Sequence, residues 1–355
     1  MPNTDARVGW IDIAKGVGIL LVIAGHTFWL GWSWPVYSFH LPLFFFISGI
    51  LAHRKDIVNI PVFLSRKARA IMTPWFVAVL ASAAICWFVP EWRSGFHIGR
   101  IARDFYSANL NCIQNSSLWY LPCLLATIGI FSVFVLIWRL NRLIGVAMLI
   151  CAIVLSMSLP RLLPLLCFLP GSRLPLKIDT AILGFCFFAV GWLLMEKPLP
   201  AVARVWCSGG VALLLATVGW AFGAWTNGWV NMNSLEYGKY PILYMPVAFC
   251  GIFAMCLICR FLPCDSVCGK VLSFYGKNTL IIFCSQSLLI RAYMLFVGKA
   301  SGVKLELYGN NPFVHQVASF LIVSFLLSPL LIAVKNRVLH LFYNYSRNRP
   351  CGNPL

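Results

Sequence analysis

Ten apolar stretches, separated by short polar segments, account for most of this 355-residue sequence. A bilayer-spanning α-helix needs about 20 mostly apolar residues, and it satisfies its backbone hydrogen bonds internally. Only 11% of the residues are charged, whereas soluble proteins typically have about 25%. The sequence therefore predicts an all-α, polytopic transmembrane bundle of about ten helices. The predicted helices cover residues 10–32, 39–53, 70–89, 118–138, 143–160, 178–195, 205–224, 241–261, 274–297 and 312–334.

The whole chain, 1–355, is expected to form one integral membrane domain with a short cytoplasmic tail over about 335–355. Its 28 Lys and Arg exceed its 10 Asp and Glu, so the formal net charge is +18. The cations cluster between apolar stretches, which the positive-inside rule explains better than nucleic-acid binding does. We expect both termini in the cytoplasm, contact with membrane lipids and no nucleic-acid partner.

Most of the fourteen cysteines lie inside apolar stretches, where a thiol behaves as a small hydrophobe. Cys256, Cys259, Cys264 and Cys268 cluster near a predicted cytoplasmic turn. The first two fall within a predicted helix, and the sequence offers no matching second set of ligands. We therefore expect no metal site.

Lys15 and His26 are the most informative pair of ionisable residues, because both lie in the first apolar stretch. Eleven residues of α-helix rise about 16.5 Å in almost three full turns, so both side chains share one face. Ionisable groups within a membrane helix are costly and mark a functional site by default. The alternative is that Lys15 extends to the interface and His26 is a hydrogen-bonded core residue. Asp12 can pair with Lys15 at i,i+3 spacing.

Arg66 and Arg69 are expected just before the third helix, on the same side of the membrane as Lys15. One helical turn apart, two guanidinium groups can bind phosphates through charge-assisted, bidentate hydrogen bonds. The alternative is a basic loop that only sets the topology.

The predicted outer side carries aromatic and amide residues that suit a polar ligand such as a sugar. His40 begins the second helix, and Asn115, Trp119 and Tyr120 enter the fourth helix from outside. An interfacial aromatic belt would produce a similar composition. Three weaker candidates are Asp179, Asn278 and Arg291, at or within later helices.

Five blocks of sequence resemble the acyltransferase-3 family of integral membrane acyltransferases, especially its fucose 4-O-acetylase-like branch. The blocks are Trp10–Gly16 with Gly25-His26-Thr27, then His40–Gly49, Arg66-x-x-Arg69, Leu118–Pro122 and Gly276–Leu280. The first block is similar to the family signature of a basic residue, ten intervening positions and a histidine. One position departs from the pattern, because Gln286 stands where similar proteins often have histidine.

The resemblance implies an O-acetyltransferase in the bacterial inner membrane that uses acetyl-CoA. The acceptor would be a sugar hydroxyl of a surface polysaccharide or lipid-linked glycan. Carried onto this sequence, the resemblance makes His26 the general base and Asp12 the residue that orients Lys15. Lys15, Arg66 and Arg69 would bind the CoA phosphates, with the pantetheine arm passing Gly16 and Gly18.

The five outer or helix-end candidates, His40, Asn115, Trp119, Tyr120 and Asn278, are assigned to the acceptor. A multi-pass transporter or flippase for a glycolipid or small anion is the alternative function, since it would use similar polar residues as a permeation path. Many secondary transporters are built from inverted repeats, and this sequence shows no internal repeat, which argues against the transporter.

Overall fold

The computed structural model describes residues 4–28, 30–52, 57–93, 98–165, 173–196, 209–307 and 311–347. Within these ranges the regular structure is helical, apart from an isolated bridge between Asn231 and Glu236. The α-helices are α1 Thr4–Thr27, α2 Leu30–Tyr37, α3 His40–Ile50, α4 Ile60–Phe88, α5 Pro90–Arg93, α6 Ile98–Ser107, α7 Tyr120–Leu140, α8 Arg142–Leu162, α9 Ile178–Glu196, α10 Gly209–Asn227, α11 Pro241–Phe261, α12 Val267–Lys277, α13 Thr279–Ser301, α14 Phe313–Leu321 and α15 Ser328–Arg347. Short 3-10 helices cover Asn111–Ile113, Ser116–Trp119, Leu163–Leu165, Pro175–Lys177 and Met232–Ser234, and a π-helical segment, Ile322–Leu327, joins α14 to α15.

Nine helical segments of the described ranges are long and apolar enough to cross a bilayer, and a tenth, Trp34–Ile50, is shorter. Together they correspond to the ten predicted stretches and confirm the all-α polytopic bundle. Large apolar side chains on α4, α8 and α10, such as Phe88, Leu143 and Phe222, are exposed. In water such a surface would be unfavourable, so these helices form the lipid-facing side of the bundle.

The third predicted helix begins ten residues earlier than expected, at Ile60. The Asn59 side chain accepts a hydrogen bond from the Val62 backbone N–H, and Pro61 occupies the first turn. Both features favour a helix start, because a capping side chain satisfies a free N–H and proline needs none. The prediction that Arg66 and Arg69 precede this helix is therefore wrong, since both lie inside α4.

Other helix ends also differ from the prediction. The first helix ends at Thr27, and the predicted helix 274–297 is divided at Asn278 into α12 and α13. The last helix continues to Arg347, so described residues from the predicted tail are helical. Residues 205–208 of the seventh predicted helix, and 348–355 of the tail, lie outside the described residues.

Two helix crossings depend on glycine pairs that allow backbones to touch. A Cβ on Gly16 of α1 would lie 2.0 Å from the Leu272 carbonyl oxygen of α12. On the other side of this contact, a Cβ on Gly276 would lie 1.8 Å from the Asp12 carbonyl oxygen. Such small-residue interfaces are the usual means by which membrane helices approach closely.

The second crossing joins α3 to α9 in the same way. A Cβ on Gly49 would lie 2.0 Å from the Phe188 carbonyl oxygen, and one on Gly191 would lie 2.2 Å from that of Phe46. Beside it, Phe131 of α7 packs on Phe188 with ring centroids 4.5 Å apart. This aromatic packing surrounds the crossing with buried side chains and fixes α3, which carries His40.

We expect Gly276→Ala to destabilise the protein by about 3 kcal/mol, because the new methyl group forces α12 away from α1. Gly129→Ala is the matched control, since Gly129 lies in a membrane helix and a Cβ there meets nothing within 4 Å. Thermal unfolding in detergent measures both variants. Equal melting temperatures for Gly276→Ala and Gly129→Ala would contradict the close contact.

Candidate functional site

The Asp12–Lys15 pair forms as the sequence predicts. Lys15 Nζ donates to Asp12 Oδ1 at 3.0 Å, and Asp12 is buried whereas Lys15 remains partly accessible. The pair lies beside the Gly276 contact between α1 and α12. Because Asp12 holds the ammonium in place, the middle of α1 presents one oriented cation.

His26 lies in the last turn of α1, in the interior of the bundle, and part of its surface is accessible. The terminal carbonyls of α1 have partners: Thr27 Oγ1 donates to the Ile23 oxygen at 3.0 Å, and Tyr37 Oη donates to the Gly25 oxygen at 2.9 Å. Helix carboxyl ends carry partial negative charge, which favours a positive charge forming on a nearby imidazole.

His40 is buried in the bundle rather than exposed to solvent. The carbonyl of Val36 lies 2.7 Å from His40 Nδ1. Because a carbonyl only accepts, His40 donates its Nδ1–H, which leaves Nε2 as the nitrogen free to exchange a proton. The Tyr37 ring packs edge-on against the imidazole at 5.0 Å between centroids and fixes its orientation.

Arg291 is the third ionisable residue at this level of the bundle. His40 and Arg291 are the groups whose charges act on His26. The packing of the helices explains why Arg291 and His26 lie at a similar height in the bundle. Gly276 touches Asp12. Arg291 follows Gly276 by fifteen residues, and His26 follows Asp12 by fourteen. An ionisable residue inside an apolar helix signals function, but sequence alone did not connect Arg291 with His26.

A network of buried amides and hydroxyls joins three helices beside this cluster. Asn115 Nδ2 donates to Ser82 Oγ at 3.0 Å and to the Cys284 carbonyl at 2.8 Å. Gln286 Nε2 contacts Ser117 Oγ at 2.6 Å. Within the described ranges, Asn115 Oδ1 and Gln286 Oε1 have no hydrogen-bond partner, so each can accept a donor.

The other predicted acceptor residues are divided between two places. Tyr120 packs between Phe45 and Phe283, with centroid distances of 4.9 and 5.1 Å. Trp119 is also buried. Asn278 lies two residues from the Gly276 contact, at the Lys15 end, where its Oδ1 accepts from Lys335 Nζ at 2.6 Å. The structure therefore does not bring Asn278 together with Asn115 and Tyr120.

The residues that are predicted to bind the acyl donor lie on two helices. Arg66 and Arg69 are exposed on α4, and α13 packs against both α4 and α1. The space expected beside Gly16 and Gly18 is occupied by Leu272 and Phe44 respectively. The expectation of an open track past these glycines is therefore wrong for this conformation.

A buried ion pair stabilises the opposite end of the bundle. Arg173 Nε and Nη2 donate to the two Asp179 oxygens at 2.6 and 3.0 Å, and the Leu174 and Thr180 N–H groups donate to the same carboxylate. Lys177 is fully buried nearby, with Nζ 5.8 Å from the Trp119 ring centre. The pairing removes the cost that an isolated Asp179 carboxylate would have.

We expect Asp179→Ala to destabilise the protein by about 3–5 kcal/mol, because it leaves the Arg173 charge without its carboxylate partner. Lys304→Ala is the control, since it removes one partner of the exposed Lys304–Glu306 pair, and exposed ion pairs contribute little to stability. Chemical unfolding in mild detergent compares the variants. The interpretation fails if both lower stability equally.

No group of three or more potential metal-ligating side chains occurs within the part of the chain that the structure describes.

The fold and site define a multi-pass membrane protein with histidine and arginine side chains gathered inside its helical bundle. A family model described as an acyltransferase domain matches residues 8–333, which is nearly the whole chain. The chain therefore belongs to the acyltransferase-3 family and is a membrane acyltransferase. Neither the curated proteins nor the solved structures yield a match.

Proposed function

We propose that this protein is an O-acetyltransferase that transfers the acetyl group of cytoplasmic acetyl-CoA to a sugar hydroxyl. The acceptor belongs to a bacterial surface polysaccharide, such as O-antigen, capsule or exopolysaccharide, or to its lipid-linked precursor. The bacterial inner membrane is the proposed location, and the fucose 4-O-acetylase-like branch is the proposed place within the family. The observation that carries the proposal is the partly accessible imidazole of His26 in the last turn of α1, inside the helical bundle.

Donor binding begins at the Lys15 end in this proposal. The oriented Lys15 ammonium and the exposed Arg66 and Arg69 guanidinium groups supply cations for the CoA phosphates. Ile19 and Val22 lie between Lys15 and His26 on one face of α1, and both are buried. Admission of the pantetheine arm therefore requires the helices covering this face to separate.

His26 acts as the general base in the proposed reaction. The imidazole removes the proton of the sugar hydroxyl while its oxygen forms a bond to the thioester carbonyl carbon. The carbon–sulfur bond then breaks, and the imidazolium returns the proton to the departing CoA thiolate. The carboxyl end of α1 favours the transient positive charge on the ring, and the apolar surroundings limit hydrolysis of the thioester by water.

Replacing His26 tests the base directly. His26→Ala should lower the acetyl-transfer rate by about 10²–10⁴-fold, the usual contribution of a general base. Transfer from radiolabelled acetyl-CoA into a membrane glycan extract measures the rate. Acetyl-CoA binding and thermal stability should remain near wild type. His340→Ala, which removes an exposed histidine, is the control. Full activity of His26→Ala would eliminate the proposed base.

The phosphate assignment is tested by removing two arginines together. Arg66→Ala with Arg69→Ala should raise the KM for acetyl-CoA about tenfold or more, because charge-assisted hydrogen bonds are lost. The control is Arg142→Ala with Lys270→Ala, which removes two exposed cations from the same predicted side. Titration of acetyl-CoA against the purified variants measures donor affinity. Equal affinities for both pairs would exclude Arg66 and Arg69 from the donor site.

A further inference from the structure

A cavity of about 390 Å³ opens at the end of the bundle opposite Lys15. Gln114, Arg291 and Glu306 provide its polar wall, and Trp92 and Met294 contribute apolar surface. This volume lies within the roughly 300–1,000 Å³ typical of small-molecule sites. The mixture of an aromatic ring with an amide, a carboxylate and a guanidinium group differs from the purely apolar lining of a lipid groove.

The cavity reaches the level of His26. Arg291 lies ten residues before Ser301, the last residue of α13, which corresponds to about 15 Å of helix rise. Arg291 is also one of the two groups whose charges act on His26. The cavity therefore extends from the outer end of α13 to a side chain that interacts with the proposed base.

One wall of the cavity is held in a strained backbone conformation. Gln114 has φ of 56° and ψ of 17°, and its N–H donates to the Asn111 carbonyl at 3.1 Å. Asp104 accepts a hydrogen bond from the Cys112 N–H at 2.7 Å, which fixes the same loop. Left-handed conformations of non-glycine residues persist where the surroundings enforce them, and they cluster at functional sites.

The facing wall is fixed by an asparagine. This asparagine is Asn311, which holds the backbone of Glu306. Asn311 Oδ1 accepts from the Glu306 N–H at 2.9 Å, and Asn311 Nδ2 donates to the Glu306 carbonyl at 2.8 Å. Lys304 Nζ lies 2.7 Å from Glu306 Oε1 and lowers the pKa of this carboxyl group. Because Glu306 is exposed, its carboxyl group is ionised at neutral pH with or without this partner. Both walls are thus formed before any ligand binds.

We propose that this cavity binds the sugar ring whose hydroxyl receives the acetyl group, an inference that rests on the proposed function. The flat Trp92 ring packs against the apolar face of the sugar, while the Gln114 amide and the Glu306 carboxylate bind its hydroxyl groups. Arg291 donates from the inner end. The accepting hydroxyl then faces His26, loses its proton there and leaves as the acetate ester, with CoA thiol as the other product.

A cysteine placed in the cavity tests the proposal without knowledge of the acceptor. The full-length Gln114→Cys variant is treated in membranes with 2-sulfonatoethyl methanethiosulfonate, an anionic reagent that does not cross the bilayer. Modification from the outer side should lower transfer into a membrane glycan extract at least tenfold and leave acetyl-CoA affinity within twofold. Tyr240→Cys is the matched control, because Tyr240 is exposed at the same end and does not line the cavity.

Native Cys112 does not interfere with this experiment. Burial and the Asp104 carboxylate raise the pKa of its thiol to about 12, so the reactive thiolate is scarce. Complete modification of Gln114→Cys, confirmed by mass, with full transfer would overturn the acceptor site alone. Failure of the reagent to reach Gln114→Cys would overturn the outward opening. Absence of acetyl-CoA binding by the wild type would overturn the proposed function and this inference together.

A second variant keeps the test independent of cysteine chemistry. Glu306→Gln should raise the KM for the glycan extract about tenfold, the loss expected for one charge-assisted hydrogen bond, without changing the KM for acetyl-CoA. Lys304→Gln removes the ion-pair partner but keeps the carboxylate, and its KM should match that of the wild type. Equal acceptor KM values for Glu306→Gln and wild type would contradict binding at this carboxylate.

Discussion

The backbone contact between α1 and α12 determines the heights of His26 and Arg291 relative to each other. Gly16 and Gly276 each meet a carbonyl of the other helix at a distance that no side chain permits. Because α13 follows α12 after the break at Asn278, this contact also sets the position of Arg291 relative to His26. The interface exists because Gly16 and Gly276 each have a hydrogen atom where other residues have a side chain. It thus brings two ionisable residues that are distant in the sequence to a similar height.

The polar groups inside the bundle are of two kinds: amides such as Gln286, which join helices, and histidines, which can exchange protons. An amide does not titrate, so its contact with Ser117 holds α13 in place without exchanging protons. His40 commits Nδ1–H to the Val36 carbonyl. His40 is buried, whereas His26 has accessible surface, so the proposed reaction assigns proton removal to His26. Glutamine at position 286 is compatible with the chemistry because its function here is to join helices.

The sequence was sufficient for the features that depend on local pattern. Apolar length predicted the bundle, and i,i+3 spacing predicted the Asp12–Lys15 pair. The start of α4 was also encoded locally, in Asn59 and Pro61, but its signal is weaker than hydropathy. Tertiary packing decides which residues fill the space beside Gly16 and Gly18, and which residue approaches His26. Spacing along one helix cannot supply that information, which is why Arg291 gained its significance only from the structure.

Asparagine side chains close two loops at the end of the bundle opposite Lys15. Asn227, the last residue of α10, donates to the Tyr237 carbonyl and accepts from the Tyr240 N–H across its loop, and Asn311 binds both backbone groups of Glu306. The loop that Asn227 closes also packs on the bundle, since Val230, Met232 and Tyr237 are buried and Arg173 Nη1 donates to the Asn233 carbonyl at 2.7 Å. Because Arg173 also binds the Asp179 carboxylate, a change in the shape of this loop is transmitted to α9.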